Sequence, residues 1–491
     1  MSPFAASAAS AVLMVRSYFI RVTDKMPKST GTYSPTRRRF LKGSIAGACV
    51  AGFPTIVPRT VFGAMAPSNR INIGAIGVGR ISRVHDMPGV IQFTGTPGRD
   101  NRILAVCDLS EKRVTEGRQF VDQAYTKKLG KPYTGTKGYA DYRELLANKE
   151  IDAVLISTPD HQHARLAVAA VAAGKDVYLQ KPASLTIREG RIMADRVKAS
   201  KQILQVGSQQ RSWKQFARAA ELVRNGRIGT VQRVEVGLPG DPAGGNPQPM
   251  PVPPGFNYDA WLGSTPEVPY TVDRVMPTEG FDRPGWLRLE QFGAGMITGW
   301  GAHHVDTAHW GMDTELTGPV EIWGQAKFPT EGLWDVHGSF KTYGRYANGM
   351  VMTISGDFEN GIKWIGDKGW IFVCRDGMTT PTATSSDPPA PIVPLRASDP
   401  KILDSVIGPN EFHVYTSDDQ HGNWLDCIHS RKPPTAPAEI GHRACSTCLL
   451  HWIAMKTDHH VHWDPVSETL KGDDIAASLL SRHQRHPYEL A

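Results

Sequence analysis

A single turn constrains this chain most. The run Arg70-Ile-Asn-Ile-Gly-Ala-Ile-Gly77-Val78-Gly79-Arg80-Ile81-Ser82 is a short apolar strand that enters a pair of glycines and leaves as a helical stretch. Gly77 permits the tight turn, and Gly79 lets the backbone approach a pyrophosphate, whose charge then sits at a helix N-terminus. Ser82 stands where such a fingerprint carries its third glycine. One glycine turn specifies little, so the downstream context decides its meaning.

That context is a series of strands alternating with helices. Residues 101–108 form a second apolar strand that ends in Asp108. An acid there accepts hydrogen bonds from both ribose hydroxyls and repels a 2′-phosphate, which favours NAD over NADP. Its spacing from the turn exceeds the usual ~20 residues, and the polar loop 94–101 accounts for the excess. A third strand, 151–158, runs through Ser157-Thr158-Pro159 into Asp160-His161-Gln162-His163 and a helix over 164–173. A fourth, 175–182, ends in Gln180-Lys181-Pro182, and a fifth spans 202–207. The pattern predicts a parallel sheet with right-handed crossovers, whose ligand lies at the carboxyl ends of the strands. Gly79, Asp108, Thr158, His161 and Lys181 all fall at those ends.

The second half changes character. Residues 231–238, 320–328, 350–355 and 370–374 look like strands, and Asn348-Gly349 between apolar runs is a hairpin signal. Two Pro-rich segments, 239–256 and 379–400, read as surface loops.

Taken together, the glycine turn, Ser157-Thr-Pro-Asp-His-Gln-His163, Gly174-Lys-Asp-Val-Tyr-Leu-Gln-Lys181-Pro182, Gly299-Trp-Gly-Ala-His303-His304-Val-Asp306 and Trp463-Asp464-Pro465 resemble the Gfo/Idh/MocA oxidoreductases. The resemblance covers nearly everything after residue 68. It implies an α/β fold, with an N-terminal Rossmann parallel sheet at 67–207 and, at 208–491, a C-terminal α/β domain whose large, mostly antiparallel sheet faces the nicotinamide and builds oligomers. It further implies an NAD-dependent enzyme that oxidises a hydroxyl of a sugar, glycoside or polyol, or, as the alternative, an NAD-recycling glycoside lyase or hydrolase acting through a transient 3-keto sugar. The cofactor is expected on Gly77, Val78, Gly79, Arg80, Ile81, Asp108, Ser157, Thr158, Pro159, His161, His163, Gln180, Lys181 and Pro182. Trp300, His304 and Arg211 are assigned to substrate.

Two departures from the family pattern matter. The family's Glu-Lys-Pro is Gln180-Lys181-Pro182 here, and the Asp that precedes the family's catalytic His by four residues is Gly299. Lys181 and His303 are the expected catalytic pair: alcohol oxidation needs a base for the hydroxyl proton and a donor to the developing charge on oxygen. An imidazole with an ordinary pKa near 6.5 suits the first task. Asp306, three residues after His303 and so near it on a helix, is expected to replace the missing acid. A non-catalytic dinucleotide or sugar sensor is the reading from another class, and the retained Lys181 and His303 argue against it.

Charge and cysteines set the remaining limits. The net charge is +7, but residues 1–70 hold ten Lys/Arg against one acid, which leaves the rest at −2. That balance gives no electrostatic footprint for a nucleic acid. Ser34-Pro-Thr-Arg37-Arg38-Arg39-Phe-Leu-Lys42, followed by a weakly apolar stretch, resembles a twin-arginine export signal, so residues 1–66 are expected to be an address that is removed, with no membrane anchor retained. Export implies a cofactor that stays bound and is restored in place. The Cys445-Ser-Thr-Cys448 pair lies in a helical apolar pattern, which predicts buried structural thiols. The clusters His303/His304/Asp306/His309 and Asp458/His459/His460/His462 have spacings that diverge on a helix, and no metal is assigned.

Overall fold

The computed structural model describes residues 69–275, 284–375 and 393–490. The expected export segment and Cys49 lie outside these residues. The first sheet has six strands: β1 (Ile71–Ile76), β2 (Asn101–Cys107), β3 (Lys137–Tyr139), β4 (Ala153–Ile156), β5 (Asp176–Leu179) and β6 (Leu204–Val206). They run parallel in the order β3-β2-β1-β4-β5-β6. Every residue of β4 and β5 is buried, as a sheet covered by helices on both faces requires. The edge strand β3 is absent from the sequence reading because Lys137-Gly-Tyr is short, mostly exposed and carries no apolar run.

The crossovers owe their ends to local chemistry. Helix α1 (Glu111–Leu129) starts where the Ser110 side chain accepts from Arg113 N and stops at Gly130, whose φ is +67°. Helix α2 (Asp160–Ala172) follows Pro159, and α3 (Ile187–Ala199) opens on a capping box between Thr186 and Glu189. The glycine turn does not run straight into an α-helix. Residues Ser82–Asp86 form a π-helical turn before a short α-helical piece, Met87–Ile91. The wider turn changes which side chains face the strand ends.

The second sheet has nine strands: β7 (Val231–Gly237), β8 (Glu321–Ala326), β9 (Phe340–Arg345), β10 (Val351–Ser355), β11 (Gly361–Gly366), β12 (Gly369–Val373), β13 (Leu395–Ala397), β14 (Val461–Asp464) and β15 (Thr469–Leu470). The order is β13-β12-β11-β7-β10-β9-β8-β14-β15, and only the β7/β10 pair is parallel. Gly349, at φ +85°, supplies the turn between β9 and β10. Helices α4 (Gly301–Met312) and α6 (Ala438–Thr457) pack on this sheet. Trp364 of β11 lies against Gly311 and donates to Ala308 O at 3.3 Å, a close approach that a side chain at 311 would prevent. Cys445 and Cys448 are buried free thiols, and Cys445 Sγ donates to Ser184 O.

One helix crosses back. In α5 (Gln420–Ser430), Trp424, Leu425, Cys427 and Ile428 join Ile71, Ile73, Val90 and Ile103 in the core of the first sheet. Bidentate pairs Arg99–Asp426 (2.8 and 2.6 Å) and Arg431–Asp176 (2.8 and 2.9 Å) fix it at its middle and its C-terminal end. A segment of the range 208–491 thus completes the nucleotide-binding half.

Candidate active site

A groove opens at the carboxyl ends of β1, β2, β4 and β5. Of the residues assigned to the cofactor, Gly77, Gly79, Arg80, Ile81, Asp108, Ser157, Thr158, Pro159, Gln180, Lys181 and Pro182 line it. Gly77 has φ +81°, and a Cβ there would come within 2.8 Å of Ser157 O, so the cradle depends on glycine. Asp108 braces the turn: its Oδ2 accepts from Val78 N at 2.8 Å and its Oδ1 from Ser110 N at 3.1 Å.

Three residues assigned to the cofactor serve the scaffold instead. Val78 buries its side chain and commits its N–H to Asp108. His161 sits in an aromatic nest with Trp261 and Phe292, its Nε2 2.7 Å from Trp261 O. His163 lies between two strand ends, with Nδ1 2.6 Å from Pro182 O and Nε2 2.8 Å from Thr158 O, and as a neutral ring donates to one of these carbonyls. Burial pushes His161 and His163 down to about 3 and about 4, so both are neutral structural rings.

The opposite wall comes from the second half of the chain: Asn257, Ala260, Trp261, Pro284, Trp286, Leu287, Gly299 and Tyr488. The end of the first Pro-rich segment docks onto the Rossmann half, where Glu111 N donates to Gly255 O and Asn257 N to Leu109 O, both at 2.9 Å. Tyr488 Oη donates to Asp259 Oδ2 at 2.5 Å and lies under the Arg165 guanidinium. The segment that follows this loop and the C-terminal tail thus both line the groove.

At its floor, Lys181 Nζ donates to Gly299 O at 2.9 Å. Where the family carries a carboxylate at this position, this chain offers the backbone carbonyl. His303, four residues further along on α4, is 5% exposed and is not among the residues that line the groove; among the described residues its buried Nδ1 has no hydrogen-bond partner. Burial first, then the cations Arg375 and Lys181, hold its pKa well below the ordinary range, so the ring is neutral rather than poised near 6.5.

Three other assignments are corrected by their partners. Asp306 does not orient His303. Its carboxylate is fully engaged by Arg211, at 2.7 Å from Nε and 2.8 Å from Nη2, with the two side chains only 1% and 3% exposed. Arg211 also bonds Glu315 and Thr435 O and lies over Trp310, so it is a core ion pair and not a substrate contact. His304 is likewise buried, its Nε2 2.6 Å from Asn360 Oδ1. Trp300 is half-buried, with Arg375 4.7 Å over its ring.

The structure adds groups the sequence did not single out. Arg375 is wedged between Trp213 and Trp300 beside His303, with no ion pair to a carboxylate among the described residues, and burial lowers it to about 10. Asp160, buried in the groove wall, is pushed up to about 7 by burial, against the pull of Lys181. Asp86 is fully buried and accepts from Ser157 Oγ (2.7 Å) and Gln180 Nε2 (2.8 and 3.1 Å), with His85 Nδ1 at 3.0 Å and His421 Nε2 at 3.3 Å. Burial alone would raise its pKa, yet the bonds from His421 and His85 hold it well below the usual carboxylate range.

A six-stranded parallel sheet with a glycine turn at its carboxyl end, followed by a large mixed sheet, defines an α/β architecture of the Rossmann type. Residues 71–208 match the family of oxidoreductases with an NAD-binding Rossmann fold, and residues 243–376 match the C-terminal alpha/beta domain of the same family. The chain belongs to the Gfo/Idh/MocA oxidoreductase family. It is 32% identical over 160 residues to the myo-inositol 2-dehydrogenase of Thermotoga maritima, covering 32% of this chain and 42% of that one. It is 33% identical over 170 residues to the alpha-N-acetylgalactosaminidase of Shewanella oneidensis, covering 31% and 35%. The chain thus spans less than half the length of these curated relatives. Its fold is shared with the aldose-aldose oxidoreductase of Caulobacter crescentus (TM-score 0.53, 18% identity, 80% of this chain and 99% of that one). It is also shared with the WlbA dehydrogenase of Bordetella pertussis, solved with NADH and UDP-GlcNAcA (TM-score 0.54, 16% identity, 80% and 99%). Among the described residues no helix is long and apolar enough to cross a membrane.

Proposed function

We propose that this protein is an NAD-dependent oxidoreductase that oxidises a hydroxyl of a sugar, glycoside or polyol by hydride transfer, with the cofactor held tightly. The observation that carries this reading is the Lys181–Gly299 bond: an ammonium from the first half reaches the start of the helix that bears His303, at the floor of the glycine-cradled groove. Asp108 favours NAD over NADP by the repulsion argument given above. The bound dinucleotide supplies the hydride acceptor. The chain's own residues do the rest. Lys181 donates to the reacting oxygen and stabilises its developing negative charge. His303, kept neutral by its surroundings, receives the hydroxyl proton. The walls contributed by Trp261, Trp286 and Tyr488 exclude water and retain the cofactor.

A second reading draws on the likeness to an alpha-N-acetylgalactosaminidase. A ketone formed transiently at sugar C3 acidifies the C2 hydrogen; loss of that proton expels the C1 substituent as its alcohol, water then adds across the C1–C2 double bond, and the hydride taken from C3 is returned to it. A roofed groove suits such a cycle because no exchange of cofactor is needed. Mass spectrometry of products from a panel of glycosides, with protein as purified and no added NAD, separates the two. A stable keto-glycoside supports net oxidation, a free aglycone supports cleavage, and a protein that binds NAD yet alters no glycoside would overturn both.

The reading includes export through the twin-arginine segment, tested by periplasmic fractionation of wild type against Arg38→Lys/Arg39→Lys. It also includes a homo-oligomer built on the second sheet, where Trp323 and Tyr343 stack at 5.3 Å and are only half-buried. Light scattering of Trp323→Ala checks that part.

A further inference from the structure

Three side chains that the sequence keeps far apart converge beside the catalytic strand ends. His85 and Asp86 lie on the π-helical turn after the glycine cradle, and His421, at the start of α5, is 335 residues beyond Asp86. His85 Nδ1 is 3.0 Å and His421 Nε2 3.3 Å from the same oxygen, Asp86 Oδ1. One donor atom from each residue lies within 4.8 Å of the others, and among the described residues no other group of three His, Cys, Asp or Glu is so placed.

As a purely hydrogen-bonded network the arrangement is over-subscribed. Gln180 Nε2 also lies 2.8 Å from Asp86 Oδ1, so three nitrogens converge on one oxygen. A carboxylate oxygen offers about two lone pairs. A cation between the two imidazole nitrogens and Oδ1 removes the excess, because each imidazole then offers a lone pair instead of competing as a donor. The spacing suits one: a tetrahedral ion with bonds of about 2.0–2.2 Å keeps its ligand atoms roughly 3.4 Å apart.

The surroundings have the form that metal ligands require. Asp86 Oδ2 accepts from Ser157 Oγ at 2.7 Å, and Gln180 reaches both carboxylate oxygens, which fixes the carboxylate. The His421 ring stacks on Tyr178 at 4.4 Å and fills the space where a side chain at Gly89 would sit. His85 is 41% exposed, which gives the cluster a way in from solvent. Two imidazoles and one carboxylate select zinc, iron(II), cobalt or nickel over the all-oxygen coordination of magnesium and calcium.

We propose that His85, Asp86 and His421 form a binding site for a divalent transition metal of the zinc class, with at least one position left for water or a hydroxyl ligand. Gln180 and Ser157 are its positioning residues, so the site is built into the strand ends that carry Lys181 and Thr158.

The test uses the full chain without a His tag, stripped with a chelator and titrated with Co²⁺ while its visible ligand-field bands are followed. The proposal predicts bands that saturate at one equivalent and are lost on adding Zn²⁺. His421→Gln and the more exposed His85→Gln should each weaken Co²⁺ binding at least about tenfold, with circular dichroism unchanged in at least one of them. A folded wild-type protein that shows no Co²⁺ bands overturns the proposal. So does equal Co²⁺ affinity in wild type and in the folded variant. Neither readout depends on turnover, so failure of the oxidoreductase reading would leave this result standing on its own.

Discussion

Gln180 Nε2 donates to both carboxylate oxygens of Asp86, at 2.8 and 3.1 Å, and both side chains are buried. The family's acid before the catalytic lysine has not simply been lost here. A carboxylate sits next to position 180, carried by the π-helical turn, and only a neutral donor at 180 is compatible with it. Gln180→Glu would face two carboxylates across about 3 Å, and one of them would have to keep a proton. This variant should lose at least about 2 kcal/mol at pH 8 and recover much of it near pH 5, where the shared proton returns. Thermal melts across that range check it, and an unchanged midpoint at pH 8 would count against the account.

Asp306 and Arg211 make a second charged relationship, and its consequence is stability rather than catalysis. Asp306→Asn leaves a buried guanidinium without half of its partners, which costs about 3–5 kcal/mol. The pH dependence of turnover in surviving protein should not move. The double variant with Arg211→Met should be less destabilised than the sum of the singles, as urea unfolding of the four proteins will show. A large turnover defect at full stability would restore Asp306 to the catalytic centre.

His303 is neutral for a physical reason, burial next to Arg375 and Lys181, so its protonation should not limit the enzyme in the ordinary range. In Asp160→Asn, which removes the groove carboxyl that titrates in this range, we expect kcat/KM to stay level from pH 8 down to about pH 6. A fall with midpoint near 6.5, the ordinary value for an imidazole, would show an exposed, unperturbed ring.

Asp160 predicts a pH effect of opposite sign to that of an ordinary ion-paired acid. Its folded pKa, about 7, lies above the unfolded value of 3.8. Between about pH 4 and 7 the folded state therefore holds a proton that the unfolded state releases, so stability falls as pH rises through that window and levels off above it. Asp160→Asn removes this slope and should gain on wild type as pH rises from 4 to 8. Parallel melting curves for the two proteins would contradict it.

Much of the first half was legible because a parallel sheet buried on both faces needs continuous apolar runs, and those runs end where the ligand binds. Gly79, Asp108, Thr158 and Lys181, placed at strand ends by that rule, line the groove. His161 and His163 obey the same rule and yet turn inward, because a strand end also needs groups to satisfy its carbonyls, and sequence does not tell the two duties apart. The spacing argument for Asp306 failed for a related reason: α4 is buried all round, so a neighbour on a helix face competes with partners from other elements, and Arg211 won. Asp86, His421, Arg375 and Tyr488 were missed because their roles arise from contacts across hundreds of residues. The one local signal was Asp86 itself, a charged residue in a stretch that had to pack on the sheet.

The most direct test of the central claim is the absorbance at 340 nm of protein as purified, mixed anaerobically with glycosides and no added cofactor. The account predicts that wild type reduces its own bound NAD, whereas Lys181→Met and His303→Gln retain the dinucleotide and reduce it at least about 10²-fold more slowly. Variants that reduce it at the wild-type rate, or a wild-type protein that carries no dinucleotide and reduces none when it is supplied, would contradict it.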